Sequence, residues 1–294
     1  MTATPREYSV ALPTHRVGVL EWGPRDGELL VALHGFPDTA WTWRTVAPLL
    51  ADAGYRVAAP FLRGYAPSGI PDDHDYSVRA LVADAVALHD RLGGNATTAV
   101  IGHDWGAITA GALAGDPASP YVRVVALAVP PTPWMNPTSR ALRPWLGAML
   151  RQPAHSWYIA YNQVPGLAER HFEWLSRRLW SAWSPGYPAA DDLAHLARAV
   201  PDRAHATAVV SYYRALVSRG SRVALAEPRV PLLYLHGDRD GALEPRFFPV
   251  VRARIAAPSR AALLTGAGHF LHLEQPDVVA AHVVDFLGRA GHPG

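Results

Sequence analysis

An aspartate lies between two glycines where a predicted strand gives way to a helix. The segment 97–107 reads TTAVIGHDWGA, with Asp104 between Gly102 and Gly106. Glycines on both sides leave room for a tight turn that holds the central side chain away from the backbone, as in the elbow that presents a catalytic nucleophile. Asp104 could instead cap the helix that begins at Trp105, but capping requires no flanking glycines. The pattern therefore predicts that Asp104 is a nucleophile.

A carboxylate nucleophile favours one group of reactions. Attack on an amide or ester carbonyl would give a mixed anhydride of higher energy, whereas displacement at a strained or activated sp³ carbon gives an ordinary ester. Water can then cleave that ester. Asp104 thus indicates a two-step reaction on an epoxide or an alkyl halide and disfavours a serine esterase.

The second step requires a base for water, and a histidine late in the chain is the candidate. His269 lies in the glycine-rich stretch GAGHFLH just after the last predicted strand, whereas His272 can be placed on the turn that follows. The imidazole needs an acid that fixes its tautomer and stabilises its charged form. Asp238 and Asp240 both follow the preceding strand. We favour Asp240 as this acid and expect Asp238 to shape the loop.

Strands and helices alternate through most of the chain. Apolar runs bounded by turn residues predict strands at residues 7–12, 16–21, 29–34, 55–60, 97–101, 122–129, 231–238 and 261–265. Helical spacing of apolar residues predicts helices at 42–53, 77–92, 105–114 and 276–287. Alternation with short links indicates a mostly parallel α/β sheet with helices on both faces.

The pattern changes after Pro130 and Pro131. Residues 132–222 show helical spacing without strands and hold six of the ten tryptophans. We predict a core domain formed by residues 1–131 and 223–294, with residues 132–222 as a helical cap inserted into it. Most aromatic side chains of the cap are expected to pack within it, and a few to line an apolar substrate pocket.

The composition excludes several classes of protein. Of the 294 residues, 49% are hydrophobic and 18% charged, which suits a packed domain rather than a disordered chain. The chain has no cysteine and no lysine, so thiol nucleophiles, disulfides and Schiff bases are excluded. A net charge of +2 without a basic cluster argues against nucleic-acid binding. Without an apolar run long enough for a membrane or a signal peptide at the start, we expect the cytoplasm.

Neither a cofactor nor a metal ion is expected. The 14 histidines are scattered rather than set at ligand spacing, apart from His269 and His272, and no carboxylate cluster accompanies that pair. No glycine-rich loop suits a dinucleotide. The expected partners are a small apolar substrate and water. The aromatic residues of the cap are consistent with a homo-oligomer interface as well as with packing inside the cap.

Several short segments resemble those of the epoxide hydrolases in the α/β-hydrolase superfamily, along almost the whole chain. HGFPD at 34–38, RGY at 63–65 and GHDWG at 102–106 match motifs of that family. The resemblance implies the α/β-hydrolase fold and an oxyanion hole made by the backbone N–H groups of Phe36 and Trp105, which would also contact the substrate. The chain departs from the pattern at Ala66 and Pro67, where relatives often have Gly-Asp.

Two segments of the cap resemble those that carry the paired tyrosines of epoxide hydrolases. WYIAYNQVPGLAE begins at Trp157 and SYYR begins at Ser211, so the family's tyrosines align with Tyr158 and Tyr213. The resemblance implies that these phenols protonate the epoxide oxygen. Tyr161, one helical turn after Tyr158, is the local alternative and a candidate substrate contact.

The same motifs occur in haloalkane and fluoroacetate dehalogenases, which are the first alternative. There the indole N–H of Trp105 would bind the halide, but the tyrosine pair and Phe36 favour an epoxide. The second alternative is a non-catalytic homologue that binds a ligand, although such a protein would have little need for Asp104, Asp240 and His269 together. Epoxide opening by an internal nucleophile, giving a ring instead of a diol, is the third.

Overall fold

One eight-stranded sheet organises the chain. The computed structural model describes residues 4–217 and 226–288. Its strands are β1 Arg6–Ala11, β2 Arg16–Trp22, β3 Glu28–Leu33, β4 Tyr55–Pro60, β5 Ala99–His103, β6 Arg123–Leu127, β7 Leu232–Gly237 and β8 Arg260–Leu264. They lie within two residues of the eight predicted strands, which are therefore confirmed.

The sheet is parallel over most of its width. Its order is β1-β2-β4-β3-β5-β6-β7-β8. The β1–β2 and β2–β4 pairs are antiparallel, and every pair from β4 to β8 is parallel. Parallel neighbours need crossovers, which helices supply in the first half of the chain: α1 Val46–Asp52, α2 Val78–Arg91 and α3 Trp105–Gly115. The helix α12, Pro276–Leu287, follows the last strand. The predicted mostly parallel α/β sheet is confirmed.

One predicted helix is divided in two. The sequence pattern predicts a helix over 42–53, whereas the structure has a 3-10 helix, Ala40–Arg44, followed by α1. Pro48 explains the break, because it has no N–H to bond to the carbonyl of Arg44 and its ring would collide with that carbonyl. Proline is tolerated in the first turn of α1, where an N–H would have no helical partner.

Only helices connect β6 to β7 in the described part of the chain. After two 3-10 turns they are α4 Leu142–His155, α5 Trp157–Gln163, α6 Leu167–Arg170, α7 Phe172–Trp183, α8 Ala190–Ala199 and α9 Arg203–Val217. The predicted boundary between residues 222 and 223 lies outside the described residues. No described helix is long and apolar enough to cross a membrane.

The sheet brings separate parts of the sequence to one edge. Because β3, β5, β7 and β8 run parallel, their carboxyl ends meet there. The loop 34–38 follows β3, Asp104 follows β5, Asp240 follows β7 and His269 follows β8. After β8 the chain forms the short helix α11, Leu271–Glu274, and a 3-10 turn with α10, Phe248–Arg252, lies between β7 and β8. Crevices at such strand ends are the usual ligand sites of open α/β sheets.

Candidate active site

Asp104 lies in a strained turn between β5 and α3. Its backbone has φ 52° and ψ −113°, a conformation that residues other than glycine rarely adopt. A Cβ on Gly102 would lie 2.1 Å from the carbonyl oxygen of Gly106, and a Cβ on Gly106 would lie 2.1 Å from that of Leu33. The Asp104 side chain makes no capping bond to α3. The two glycines thus permit a turn that keeps the carboxylate free of its own helix.

The Asp104 carboxylate faces the loop after β3. Its Oδ1 accepts a hydrogen bond of 2.8 Å from the backbone N–H of Phe36. Gly35 permits this approach, because a Cβ there would lie 2.6 Å from the same oxygen. Trp105 is the first residue of α3, so its N–H has no carbonyl partner within the helix. Both predicted oxyanion-hole amides therefore belong to the turns that hold this carboxylate.

His34 holds the loop that carries Phe36. The Nε2 of His34 accepts a bond of 2.9 Å from the N–H of Leu62, and its Nδ1 lies 2.8 Å from the carbonyl oxygen of Gly35. Burial lowers the pKa of His34 to about 4, so the ring is neutral and the two bonds fix its tautomer. The first histidine of the HGFPD segment thus has a positioning role.

His269 is held by Asp240 and faces Asp104. Its Nδ1 lies 2.9 Å from Oδ2 of Asp240, and its Nε2 lies 3.6 Å from Oδ2 of Asp104. The other oxygen of Asp240 accepts from the N–H groups of Ala242 at 2.7 Å and Leu243 at 3.0 Å. All three residues are at least 95% buried. The structure therefore brings together the predicted nucleophile, base and acid.

The neighbouring alternatives have other partners. Oδ1 of Asp238 accepts from the N–H of Gly266 at 2.7 Å, which ties together the loops after β7 and β8. Nε2 of His272 lies 2.5 Å from Oγ1 of Thr42, and burial lowers the pKa of His272 to about 3. Asp238 and His272 therefore bind neighbouring loops of the site rather than Asp104.

The charge of His269 depends on its two carboxylate neighbours. Burial by itself lowers the pKa of His269, but Asp240 and Asp104 outweigh burial and raise it to about 10. Burial raises the pKa of Asp240, yet the adjacent imidazolium brings it below its ordinary value. The site as described thus holds a protonated imidazole between two carboxylates.

Two buried tyrosines from the helical segment lie over this group. The rings of Tyr158 on α5 and Tyr213 on α9 are 5.4 Å apart. Burial raises the pKa of both phenols, and the charge of Asp104 raises it further. The Oη of Tyr213 is buried and makes no hydrogen bond of ordinary geometry in the described part of the chain, although the rings of Tyr158 and Trp105 lie beside that of Tyr213. Such a group is free to bond to a ligand.

Tyr161 lies elsewhere. Its ring packs against Trp157 at 5.9 Å and Trp174 at 6.0 Å, and Trp174 is half exposed at 52%. The structure therefore places Tyr161 toward the outside of the helical segment, apart from Tyr158 and Tyr213. This position does not support the predicted contact of Tyr161 with substrate.

Trp183 is a site residue that sequence reasoning missed. Its ring lies 4.9 Å from that of His269 and 5.0 Å from that of Tyr158. Its carbonyl oxygen accepts from the N–H of His269 at 2.9 Å and that of Gly241 at 3.1 Å. The end of α7 therefore holds the loops of both the base and the acid. The sequence around Trp183 contains no motif that distinguishes it from the other nine tryptophans of the chain.

One group of described residues could hold a metal ion. Asp38, His103 and His272 are buried and have candidate ligand atoms within 4.8 Å of one another. Burial raises the pKa of Asp38 to about 8 and lowers those of both histidines, so the neutral forms are favoured. A protonated carboxyl can pair with a neutral imidazole without an ion. Because Nε2 of His103 lies 3.1 Å from the carbonyl oxygen of His269, we assign this group to the support of the site.

Comparison with known proteins gives a consistent result. A model of the alpha/beta hydrolase fold matches residues 28–276. Epoxide hydrolase A of Mycobacterium tuberculosis is 30% identical, in an alignment that covers 96% of this chain and 97% of that protein. The crystal structure of epoxide hydrolase A from Mycobacterium thermoresistibile superposes with a TM-score of 0.75 at 28% identity, covering 99% and 100% of the two chains. An epoxide hydrolase from Vigna radiata gives 0.75 at 25% identity, over 97% and 98%.

Proposed function

The chain belongs to the alpha/beta hydrolase fold family, and we propose that it is an epoxide hydrolase whose nucleophile is Asp104. Similarity to epoxide hydrolases along almost the full length supports the reaction class. The observation that carries the assignment of residues is the convergence of two buried phenols, Tyr158 and Tyr213, on a carboxylate paired with His269. An epoxide needs both a nucleophile and a proton donor.

The first step opens the epoxide. Oδ1 of Asp104 is held by the Phe36 amide, so Oδ2 is the oxygen that attacks a ring carbon. A carbon–oxygen bond to Oδ2 forms while the ring carbon–oxygen bond breaks. The ring oxygen takes the proton of Tyr158 or Tyr213 and becomes a hydroxyl group. Because both phenols have raised pKa values, they stay protonated and ready to donate at neutral pH.

Ester formation prepares His269 for the second step. It removes the negative charge of Asp104, which is one of the causes of the raised pKa of His269. The phenolate left by the first step is a strong base, because burial raises the pKa of both phenols. The proton that His269 carries at the outset therefore passes to this phenolate, which restores the phenol. The imidazole is then neutral and can act as a base.

Water completes the reaction. His269 takes a proton from water, and the resulting hydroxide attacks the carbonyl carbon of the Asp104 ester. The charge that develops on Oδ1 is stabilised by the N–H of Phe36, which already donates to that oxygen at 2.8 Å, and by the N–H of Trp105. The bond from this carbon to the alkyl oxygen breaks, and the alkyl oxygen takes the proton of the new Asp104 carboxyl group. A vicinal diol leaves, and Asp104 is again a carboxylate. Asp240 keeps the imidazole in the required tautomer.

Residues 132–222 form a cap domain in this proposal, with residues 1–131 and 223–294 as the core domain. The cap supplies Tyr158, Tyr213 and Trp183, and the core supplies the other groups. The substrate is a small apolar molecule and water is the second reactant. Absence of nucleic-acid binding, the oligomeric state and a cytoplasmic location remain predictions.

A panel of matched substrates tests the proposed function. Purified protein is given aryl and alkyl epoxides beside haloalkanes of the same carbon skeleton, and diol and free halide are measured. We expect diol without halide, abolished in Asp104→Ala. Halide without diol would instead identify a dehalogenase, with the indole N–H of Trp105 as the halide donor. A cyclic product without diol would identify internal epoxide opening.

A further inference from the structure

A cavity of about 690 Å³, open to solvent on one side, lies among α6, α7, α8 and α9 of the helical segment. Its volume is in the usual range for a small-molecule site. The apolar part of its lining includes Phe172, Leu193, Leu196, Val200, Pro201 and Ala206. None of these residues takes part in the chemistry described above, so that chemistry does not explain the cavity.

Phe172 connects this cavity to the nucleophile. It lines the cavity, and its ring lies 6.0 Å from that of Phe36. Phe36 in turn lies 4.9 Å from the ring of Tyr213, and its amide binds Asp104 at 2.8 Å. Two aromatic rings in contact therefore separate the cavity from the reacting carboxylate.

The reacting groups themselves are closed off. The exposed fractions of Asp104, Tyr158 and Tyr213 are 5%, 7% and 3%. Little of their surface is therefore open to a substrate in this conformation. We propose that the cavity holds the apolar part of the epoxide and that Phe172 is the gate between the cavity and Asp104. This inference rests on the proposed function.

The position of Phe172 in the fold suits a side chain that moves. It is the first residue of α7 and is separated from α6, only four residues long, by His171. The backbone of His171 has φ −113° and ψ 24°, which is not helical. A side chain in the first turn of a helix has no preceding turn of the same helix packed against it. Phe172 can therefore change rotamer without unwinding α7.

Three arginines and three acids contribute to the lining. Each acid has a basic neighbour: Glu169–Arg214 at 2.7 Å, Glu173–Arg177 at 3.0 Å and Asp202–His205 at 2.9 Å. The lining therefore does not favour a cationic substrate, and its apolar residues suit the apolar part of a bulky epoxide. Small epoxides gain less from it, because they can react without filling it.

Filling the cavity from its exposed side tests this proposal. Ala197 is exposed on α8 and lines the cavity, whereas Ala194 is exposed on the same helix and does not line it. We expect Ala197→Trp to lower kcat/KM for trans-stilbene oxide about tenfold or more, and that for propylene oxide less than about twofold. Ala194→Trp should change neither by more than about twofold. Melting temperatures check that both variants fold.

A second variant addresses the gate. Phe172→Leu keeps an apolar side chain but removes the ring, and it should raise the ratio of kcat/KM for trans-stilbene oxide over propylene oxide by about threefold or more. Equal effects of Ala197→Trp and Ala194→Trp on both epoxides, or an unchanged ratio in Phe172→Leu, would overturn the inference while leaving the proposed function intact. If the parent protein formed diol from neither epoxide, the proposed function would be overturned, and this inference with it.

Discussion

Nε2 of His269 lies 3.6 Å from Oδ2 of Asp104, which is too long for a hydrogen bond, while Nδ1 of the same ring is bound to Asp240 at 2.9 Å. The imidazole is therefore hydrogen-bonded to Asp240 and makes a longer ion pair with Asp104. This separation suits a base that acts on a water molecule near the Asp104 ester rather than on the carboxylate itself.

Substitution of the two aspartates after β7 should have very different effects on kcat. In Asp240→Asn the amide oxygen should stay where Oδ1 accepts two backbone N–H groups, so the NH₂ group faces Nδ1 of His269 and favours the wrong tautomer. We expect kcat to fall about a thousandfold or more. Asp238→Asn keeps an acceptor for Gly266 and should stay within about threefold of the parent enzyme. Similar losses in both variants, measured by diol formation, would show that Asp240 has no special role.

The tyrosines should act as a pair. Tyr158→Phe and Tyr213→Phe should each lower kcat about 10- to 100-fold, because the other phenol can still donate, and the double variant should lose about a thousandfold or more. Tyr161→Phe is the matched control, since its ring packs against Trp157 and Trp174, and it should change kcat less than about twofold. A double variant as active as either single variant would contradict proton donation by the pair.

The turn that holds Asp104 should tolerate no side chain at Gly106. A Cβ there would lie 2.1 Å from the Leu33 carbonyl oxygen, so Gly106→Ala should lower the free energy of unfolding by about 3 kcal/mol or more. Gly69→Ala is the control, because its Cβ would meet nothing closer than 3.5 Å. It should change the free energy of unfolding by less than about 1 kcal/mol. Urea denaturation measures both, and equal values would refute the steric argument.

Stability should decrease as the pH rises through the alkaline range. The pKa of His269 is raised to about 10 in the folded protein from about 6.5 in the unfolded chain. Protonated His269 therefore contributes its full stabilisation below about pH 6.5, and this contribution is lost as the pH rises toward 10. Asp38, with a raised pKa of about 8, contributes a similar slope at lower pH in every variant. Between about pH 8 and pH 9.5, the free energy of unfolding should fall by up to about 1.4 kcal/mol per pH unit from His269 alone. His269→Gln should flatten this slope, and an equally steep slope in that variant would contradict the raised pKa.

The strands and the turn that holds Asp104 could be predicted from the sequence because their signals are local. The apolar runs identify eight strands, and the glycines around Asp104 identify its turn. The choice between Asp238 and Asp240 could not be made from position alone, since both follow the same strand. It depends on the loop conformation that turns Asp240 toward His269.

The contributions of the helical segment were harder to predict because they depend on long-range packing. The carbonyl oxygen of Trp183 binds the loops of His269 and Gly241, which lie far from it in sequence. Phe172 meets Phe36 only through the way α7 packs on the core. No spacing within one segment carries that information. The single predicted helix over 42–53 failed for a local reason, because the effect of Pro48 on its first turn was overlooked.

The mass of a trapped intermediate tests the central claim most directly. His269→Gln should still form the ester at Asp104 but should not hydrolyse it. After incubation with an epoxide, intact-protein mass spectrometry should show an increase equal to one epoxide molecule, with peptide mapping that places it on Asp104. The double variant Asp104→Asn/His269→Gln should show no increase. No adduct in His269→Gln although the parent protein forms diol, or the same adduct in the double variant, would contradict Asp104 as the nucleophile.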